Sequence, residues 1–206
     1  MDAIIALTFI EAVLILVAIA ISIFTTFISP PDDRDVDSIP TVSSHPHIVA
    51  AAPPVKYDVF LNFRGEDIRE TFLSHLRNAL SDAKIHTFMD DGIEKGDDIS
   101  PILLKTIEGS EISLVIFSKD YASSTWCLDE LVHIMKCKDQ YERTVIPIFY
   151  NVDPSNVRKQ NGSFGDGFAK LKQRFKHDQE RVKEWKNALR RSTNLTGWDS
   201  KNIRIY

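Results

Sequence analysis

Hydrophobic and polar positions divide the chain into three stretches. From Ala3 to Ile28 the run is apolar, broken only by Thr8, Glu11, Ser22, Thr25 and Thr26. At ~1.5 Å per residue, a helix of this length spans roughly 39 Å, enough to cross a ~30 Å hydrocarbon core with tilt. A cleaved signal peptide fits less well, because Met1-Asp2 supplies no basic lead and the apolar run outlasts the usual ~7–15 residues. Residues 1–29 are therefore read as an uncleaved, single-pass membrane anchor, in which Glu11 is the costly residue. Arg34 is the only nearby basic side chain, so the charge rule does not orient the anchor. Residues 30–54 shift to Pro, Asp, Ser and His between Pro30-Pro31 and Pro53-Pro54, the composition of a disordered linker.

Residues 55–206 alternate between strand and helix patterns. Tyr57 to Phe63 is β-rich, and Ile68 to Leu80 has helical periodicity through Phe72, Leu73, Leu76 and Leu80. Ile85 to Met89 predicts a second strand, followed by the acidic loop Asp90 to Asp98. The next helix has Pro101 in its first turn and carries Ile102, Leu103 and Ile107 on its apolar side. Ile112 to Phe117 is apolar enough to be a central strand covered on both faces. A helix starting near Trp126 leads to a fourth strand, Val145 to Phe149. A loop through Asp153-Pro154 and Gly162 then precedes two polar helices ending near Leu195. This order predicts an open, mainly parallel α/β sheet with helices on both faces and right-handed connections.

Composition narrows the function classes. A net charge of −4 with no dominant basic face gives no nucleic-acid footprint. The two cysteines, Cys127 and Cys137, fall ten apart on one predicted helix and cannot pair, which fits a reducing compartment. The six histidines are scattered without metal-ligand spacing, so no metal site is expected. No Gly-x-x-x-x-Gly-Lys-Ser/Thr run occurs, which excludes a P-loop NTPase.

In such sheets, ligands bind outside the carboxyl ends of the strands. Arg64 follows the first strand, the acidic loop follows the second, and Ser118, Ser124 and Trp126 follow the third, just ahead of Glu130. On a helical wheel Leu128, Leu131, Val132 and Met135 form one apolar stripe. Glu130 lies opposite it, with Trp126 one turn earlier, so both are expected on an outward edge near a helix N-terminus. A glutamate in a first turn ordinarily only complements the helix dipole, and the convergence at one rim is what favours a site.

Several runs carry a family resemblance. Tyr57-Asp58-Val59-Phe60-Leu61-Asn62-Phe63-Arg64-Gly65-Glu66-Asp67 resembles the opening motif of plant-type Toll/interleukin-1 receptor (TIR) domains. Ile85 to Asp91, Ile99-Ser100-Pro101, Trp126-Cys127-Leu128-Asp129-Glu130-Leu131, Ile146 to Pro154 and Val157 to Gln160 are similar to later motifs of that family, in the same order. The resemblance implies a flavodoxin-like, five-stranded parallel sheet and a TIR-only or truncated immune receptor. It also implies NAD⁺ glycohydrolase activity switched on by self-association. NAD⁺ is then the substrate, and no cofactor is expected. Glu130 falls on the family's catalytic glutamate. Arg64, Arg69, Ser124 and Trp126 match substrate-binding positions. Ser74, His75, Asp90, Asp91 and Gly92 match self-association surfaces. Cys127 matches a cysteine linked to a second, nucleic-acid-dependent synthetase activity, while its plainer role is that of a small buried hydrophobe.

The implied partners are other TIR domains, the membrane through residues 3–28, and lipase-like immune regulators that read the nucleotide product. Nucleic acid is a partner only if the synthetase activity is present. The domain is expected on the cytoplasmic side of the membrane. Asn62 stands where many relatives carry Ser, Ile68 where many carry Thr, and Gly92 and Ile93 where Glu and Leu are common.

The residue types suit that chemistry. The nicotinamide ring is positively charged while still bonded, which already makes it a good leaving group, so the difficulty lies in the oxocarbenium-like ribose left behind. One carboxylate can hold the ribose hydroxyls and stabilise the cation. Two other classes compete: a catalytically silent adaptor that binds other TIR domains, and a redox or flavin protein sharing only the architecture. The second lacks a phosphate-cradling glycine loop after the first strand.

Overall fold

A computed structural model of the chain describes residues 52–89 and 100–201. The expected anchor, nearly all of the expected linker and the acidic loop from Asp90 to Asp98 lie outside the described residues. Among the described residues no helix is long and apolar enough to cross a membrane.

The elements follow in the order β1 (Tyr57–Phe63), α1 (Gly65–Ile68), a π-helical turn (Arg69–Leu73), α2 (Ser74–Asp82), β2 (Thr87–Met89), α3 (Pro101–Glu108) and β3 (Ser110–Phe117). A 3₁₀ turn (Tyr121–Ser123), α4 (Thr125–Tyr141), β4 (Thr144–Phe149), α5 (Pro154–Lys159), α6 (Gly162–Arg174), α7 (Gln179–Ser192) and β5 (Trp198–Asp199) complete the domain. All four strand pairings are parallel and the order is β2-β1-β3-β4-β5. The expected five-stranded parallel sheet is therefore present.

Local chemistry sets the boundaries. Ser100 caps α3 by accepting from the Leu103 amide at 3.2 Å, with Pro101 at the first helical position. Asp153 and Pro154 open α5 in the same way. α4 ends where Glu142 adopts φ 58°, a left-handed conformation that no helix can continue through.

The two sheet faces are buried unequally. Val59, Leu61, Ile112, Leu114, Ile116 and Ile148 face Ile68, Phe72, Leu73, Leu76 and Leu80 of the α1–α2 segment. Phe60, Val115, Phe117 and Phe149 face the larger core made by α3, α4, α6 and α7.

Four details depart from the sequence reading. The helix expected over Ile68 to Leu80 is interrupted by the π-helical turn, although its apolar spacing still faces the sheet. β2 begins at Thr87 rather than Ile85, because the Asp58 carboxylate takes the His86 amide at 2.7 Å on this edge strand. Ile102 is 69% exposed although Leu103 and Ile107 are buried; α3 packs along one face, and Ile102 lies about 100° round from its neighbour. The stretch from Asp153 to Gly162, expected as loop, folds into α5 and the start of α6.

Candidate active site

Strand order 2-1-3-4-5 reverses direction between β1 and β3, and the crevice at such a reversal lies outside the strand carboxyl ends. β1 delivers Asn62, Phe63 and Arg64 there, while β3 delivers Ser118 and the turn beyond it. α4 starts at the same place, capped by Ser124, whose Oγ accepts from the Cys127 amide at 3.3 Å.

Glu130 is in this crevice, but not on an outward edge. It is 4% exposed, and its Oε2 accepts a hydrogen bond from Asn62 Nδ2 at 2.7 Å. The wheel misplaces it because α4 is covered on more than one side. Leu128, Leu131, Ile134 and Met135 are buried in the larger core, whereas Cys127 and Glu130 turn toward the end of β1. Trp126 is likewise half-buried and packed against that core, and its indole Nε1 is buried without a hydrogen-bond partner among the described residues.

Arg64 is held by both loops of the crevice. It pairs with Glu66, and its Nη1 donates to Asp67 Oδ1 at 3.2 Å and to the Asp120 carbonyl at 3.4 Å. Asp67 ties the loops together, since its Oδ2 also accepts from Ser118 Oγ and from the Asp120 amide at 3.0 Å. Arg69, exposed on the π-helical turn, folds back over Gly65, where an added β-carbon would stand 2.9 Å from Arg69 Nη2. Both arginines thus follow β1 closely, Arg64 at the crevice and Arg69 on the π-helical turn.

The sequence reading missed two residues of the crevice's inner wall. Tyr121, fully buried, donates its hydroxyl proton to Asn62 Oδ1 or to the Cys127 carbonyl at 3.0 Å. Asn62 itself is fully buried and also donates to the Cys127 carbonyl at 3.3 Å. Their signals were a polar residue inside the apolar run Tyr57–Phe63 and a tyrosine in the approach to α4.

Cys127 donates its thiol to the Phe63 carbonyl at 3.3 Å. Burial, reinforced by the Glu130 charge, pushes that thiol up to about 12. It is a protonated, buried group at neutral pH.

The remaining expected residues lie elsewhere. Ser74 and His75 are exposed at the start of α2, while Asp90, Asp91 and Gly92 lie outside the described residues. An open groove of about 590 Å³ runs along the other side of α4, between α3 and α7. Asp129, not Glu130, borders it, and Asp129 is occupied by Arg181 and by Trp185 Nε1 at 2.6 Å. Among the described residues no group of His, Cys, Asp or Glu could hold a metal ion.

The TIR domain family model matches residues 56–205. The chain belongs to the TIR domain family. Disease resistance protein RPV1 of Vitis rotundifolia is 51% identical over 142 residues, covering 69% of this chain and 10% of that protein. TMV resistance protein N of Nicotiana glutinosa is 51% identical over 142 residues, covering 68% of this chain and 12% of that protein. The chain therefore spans about a tenth of the length of the curated relatives it matches. Among solved structures, the TIR domains of the activated Roq1 resistosome superpose with a TM-score of 0.67 at 50% identity, covering 71% of this chain and 89% of theirs.

Proposed function

We propose that this TIR domain cleaves the nicotinamide–ribose bond of NAD⁺ when copies self-associate, and that it acts in plant innate immune signalling. The observation that carries the reading is the Glu130 carboxylate, held by a neutral amide at the topological switch point, in the crevice that also receives Arg64. A carboxylate in a dry cleft exerts a strong field on a developing ribosyl cation. Nicotinamide departs as a neutral base, so no second acid is required, and water completes ADP-ribose. Arg64 and Arg69 would meet the diphosphate. Ser124 and Trp126 would border the nicotinamide riboside.

Support for immune signalling comes from the kinship to named disease resistance proteins and to the TIR domains of a resistosome. Glu130 is 4% exposed in a single copy, so substrate entry requires the rim to rearrange, a step we assign to self-association through the Ser74–His75 edge of α2. Residues 1–29 would concentrate copies at a membrane, with the domain on the cytoplasmic side. Lipase-like immune regulators reading the nucleotide product are the proposed downstream partners. The reading assigns Cys127 no thiolate chemistry, given its raised and buried thiol. The same burial of Glu130 would also suit an adaptor, in which that carboxylate is only structural.

Nicotinamide release by the full chain, followed by chromatography, separates the two. Glu130→Gln should abolish turnover with an unchanged melting temperature, and removal of residues 1–29 should lower turnover at equal bulk concentration. A wild-type chain that self-associates yet releases no nicotinamide is an adaptor.

A further inference from the structure

We propose that Tyr121 and Asn62 form a positioning relay that fixes the Glu130 carboxylate. The proposal rests on Glu130 being the reacting carboxylate, and it assigns work to two residues that never touch substrate.

Every part of the relay is held. The Tyr121 ring is fully buried, with its centroid 4.9 Å from Phe117 edge-on and 6.5 Å from Phe164 in a stack. Its hydroxyl can move little, and it meets Asn62 Oδ1 and the Cys127 carbonyl. Asn62 lies one residue from the end of β1, opposite Val115 of β3, so the central strands fix its backbone. A side-chain amide offers one acceptor and one doubly protonated donor. Here the acceptor faces Tyr121, while the donor faces Glu130 Oε2 at 2.7 Å and the Cys127 carbonyl at 3.3 Å. Reversing the amide would aim its oxygen at a carboxylate and a carbonyl and its NH₂ at a hydroxyl, so this surrounding admits one orientation.

The chemistry of the donor matters as much as its place. A neutral amide restrains a carboxylate oxygen without itself bringing a compensating positive charge to the site. An arginine in the same place would cancel much of that charge. The same two residues also bind the Cys127 carbonyl, so the first turn of α4 and the Glu130 side chain are registered to β1 together. Orientation set before substrate arrives is the condition under which electrostatic stabilisation of a transition state is largest.

The test uses the full chain. Tyr121→Phe removes one oxygen and keeps the ring; Asn62→Leu keeps the approximate volume and removes both polar groups. Steady-state nicotinamide release should show kcat down about tenfold for Tyr121→Phe and about a hundredfold for Asn62→Leu, with KM within about twofold of wild type. In parallel, the Asn62 side-chain amide resonances should move on Glu130→Gln and on Tyr121→Phe, a readout independent of turnover. A kcat within about twofold of wild type in both variants overturns the relay, as does an Asn62 amide signal indifferent to Glu130→Gln. If the wild type releases no nicotinamide, the hydrolase reading fails, and the resonance shifts alone decide whether the relay exists.

Discussion

Concealment of the Glu130 carboxylate strengthens the field it would apply and at the same time closes the route to it. The thiol beside it shows the same environment acting on a different group. Cys127 is pushed up to about 12 by burial and the Glu130 charge, and Tyr121 is raised well above its ordinary value by burial and by its neighbours Cys127 and Glu130. A folded-state pKa above the unfolded value, near 9 for the thiol, gives stability that is complete below that pH and is lost as pH rises toward 12. Buried Cys137 is likewise pushed up to about 12, so urea midpoints should hold steady to about pH 8.5 and fall beyond it, and Cys127→Ala should remove only part of the fall. Native Cys127 should resist alkylation at pH 8. Rapid labelling there would mean that the crevice opens readily.

At this scale the sequence exposed the residue types and concealed their direction. Glu130 and Arg64 were legible as members of one rim. The wheel turned Glu130 outward because a wheel assumes one packing surface, while α4 meets both the sheet and α7. Asn62 was visible only as an amide in an apolar strand, since its partners lie 59 and 68 positions away.

Among the elements, α6 determines where Tyr121 can be. It packs on the 3₁₀ turn through Gly167, where an added β-carbon would come within 3.0 Å of Ser123 Cβ and 3.1 Å of the Ser123 amide nitrogen. Backbone at that range cannot step aside as a flexible side chain can. Gly167→Ala should therefore displace the turn, costing about 1–3 kcal/mol in urea unfolding and lowering turnover more than KM changes. Periodicity located the main helices and strands because each buries an apolar face of ordinary width. It failed at the π-helical turn, whose wider winding leaves the apolar spacing intact, and at α5, whose six residues are too few to show a period.

Over the whole molecule, the two poles of the parallel sheet have separate tasks. The carboxyl pole holds the crevice. The amino pole fastens the incoming chain: Arg143 donates to Glu111 at 2.6 Å and to the Pro53 carbonyl at 2.7 Å, while the Lys56 and Tyr57 amides both donate to the Gly109 carbonyl. Arg143 and Glu111 are each about 5% exposed. Arg143→Met would leave the Glu111 charge buried without that partner, so a loss of about 3–5 kcal/mol is expected by chemical denaturation. Pairing it with Glu111→Gln should recover much of the loss. The parallel five-stranded sheet was legible from alternation and family likeness together, but the fastening of Pro53 was not, because it joins residues 90 apart.

That fastening fixes a direction. The seven residues of β1, at ~3.3 Å each, separate the point of entry from the crevice by roughly 23 Å. A fluorescent reporter joined upstream of Pro53 would ride on the far end of the domain, where it can register clustering of copies without shadowing the cleft that clustering is proposed to open.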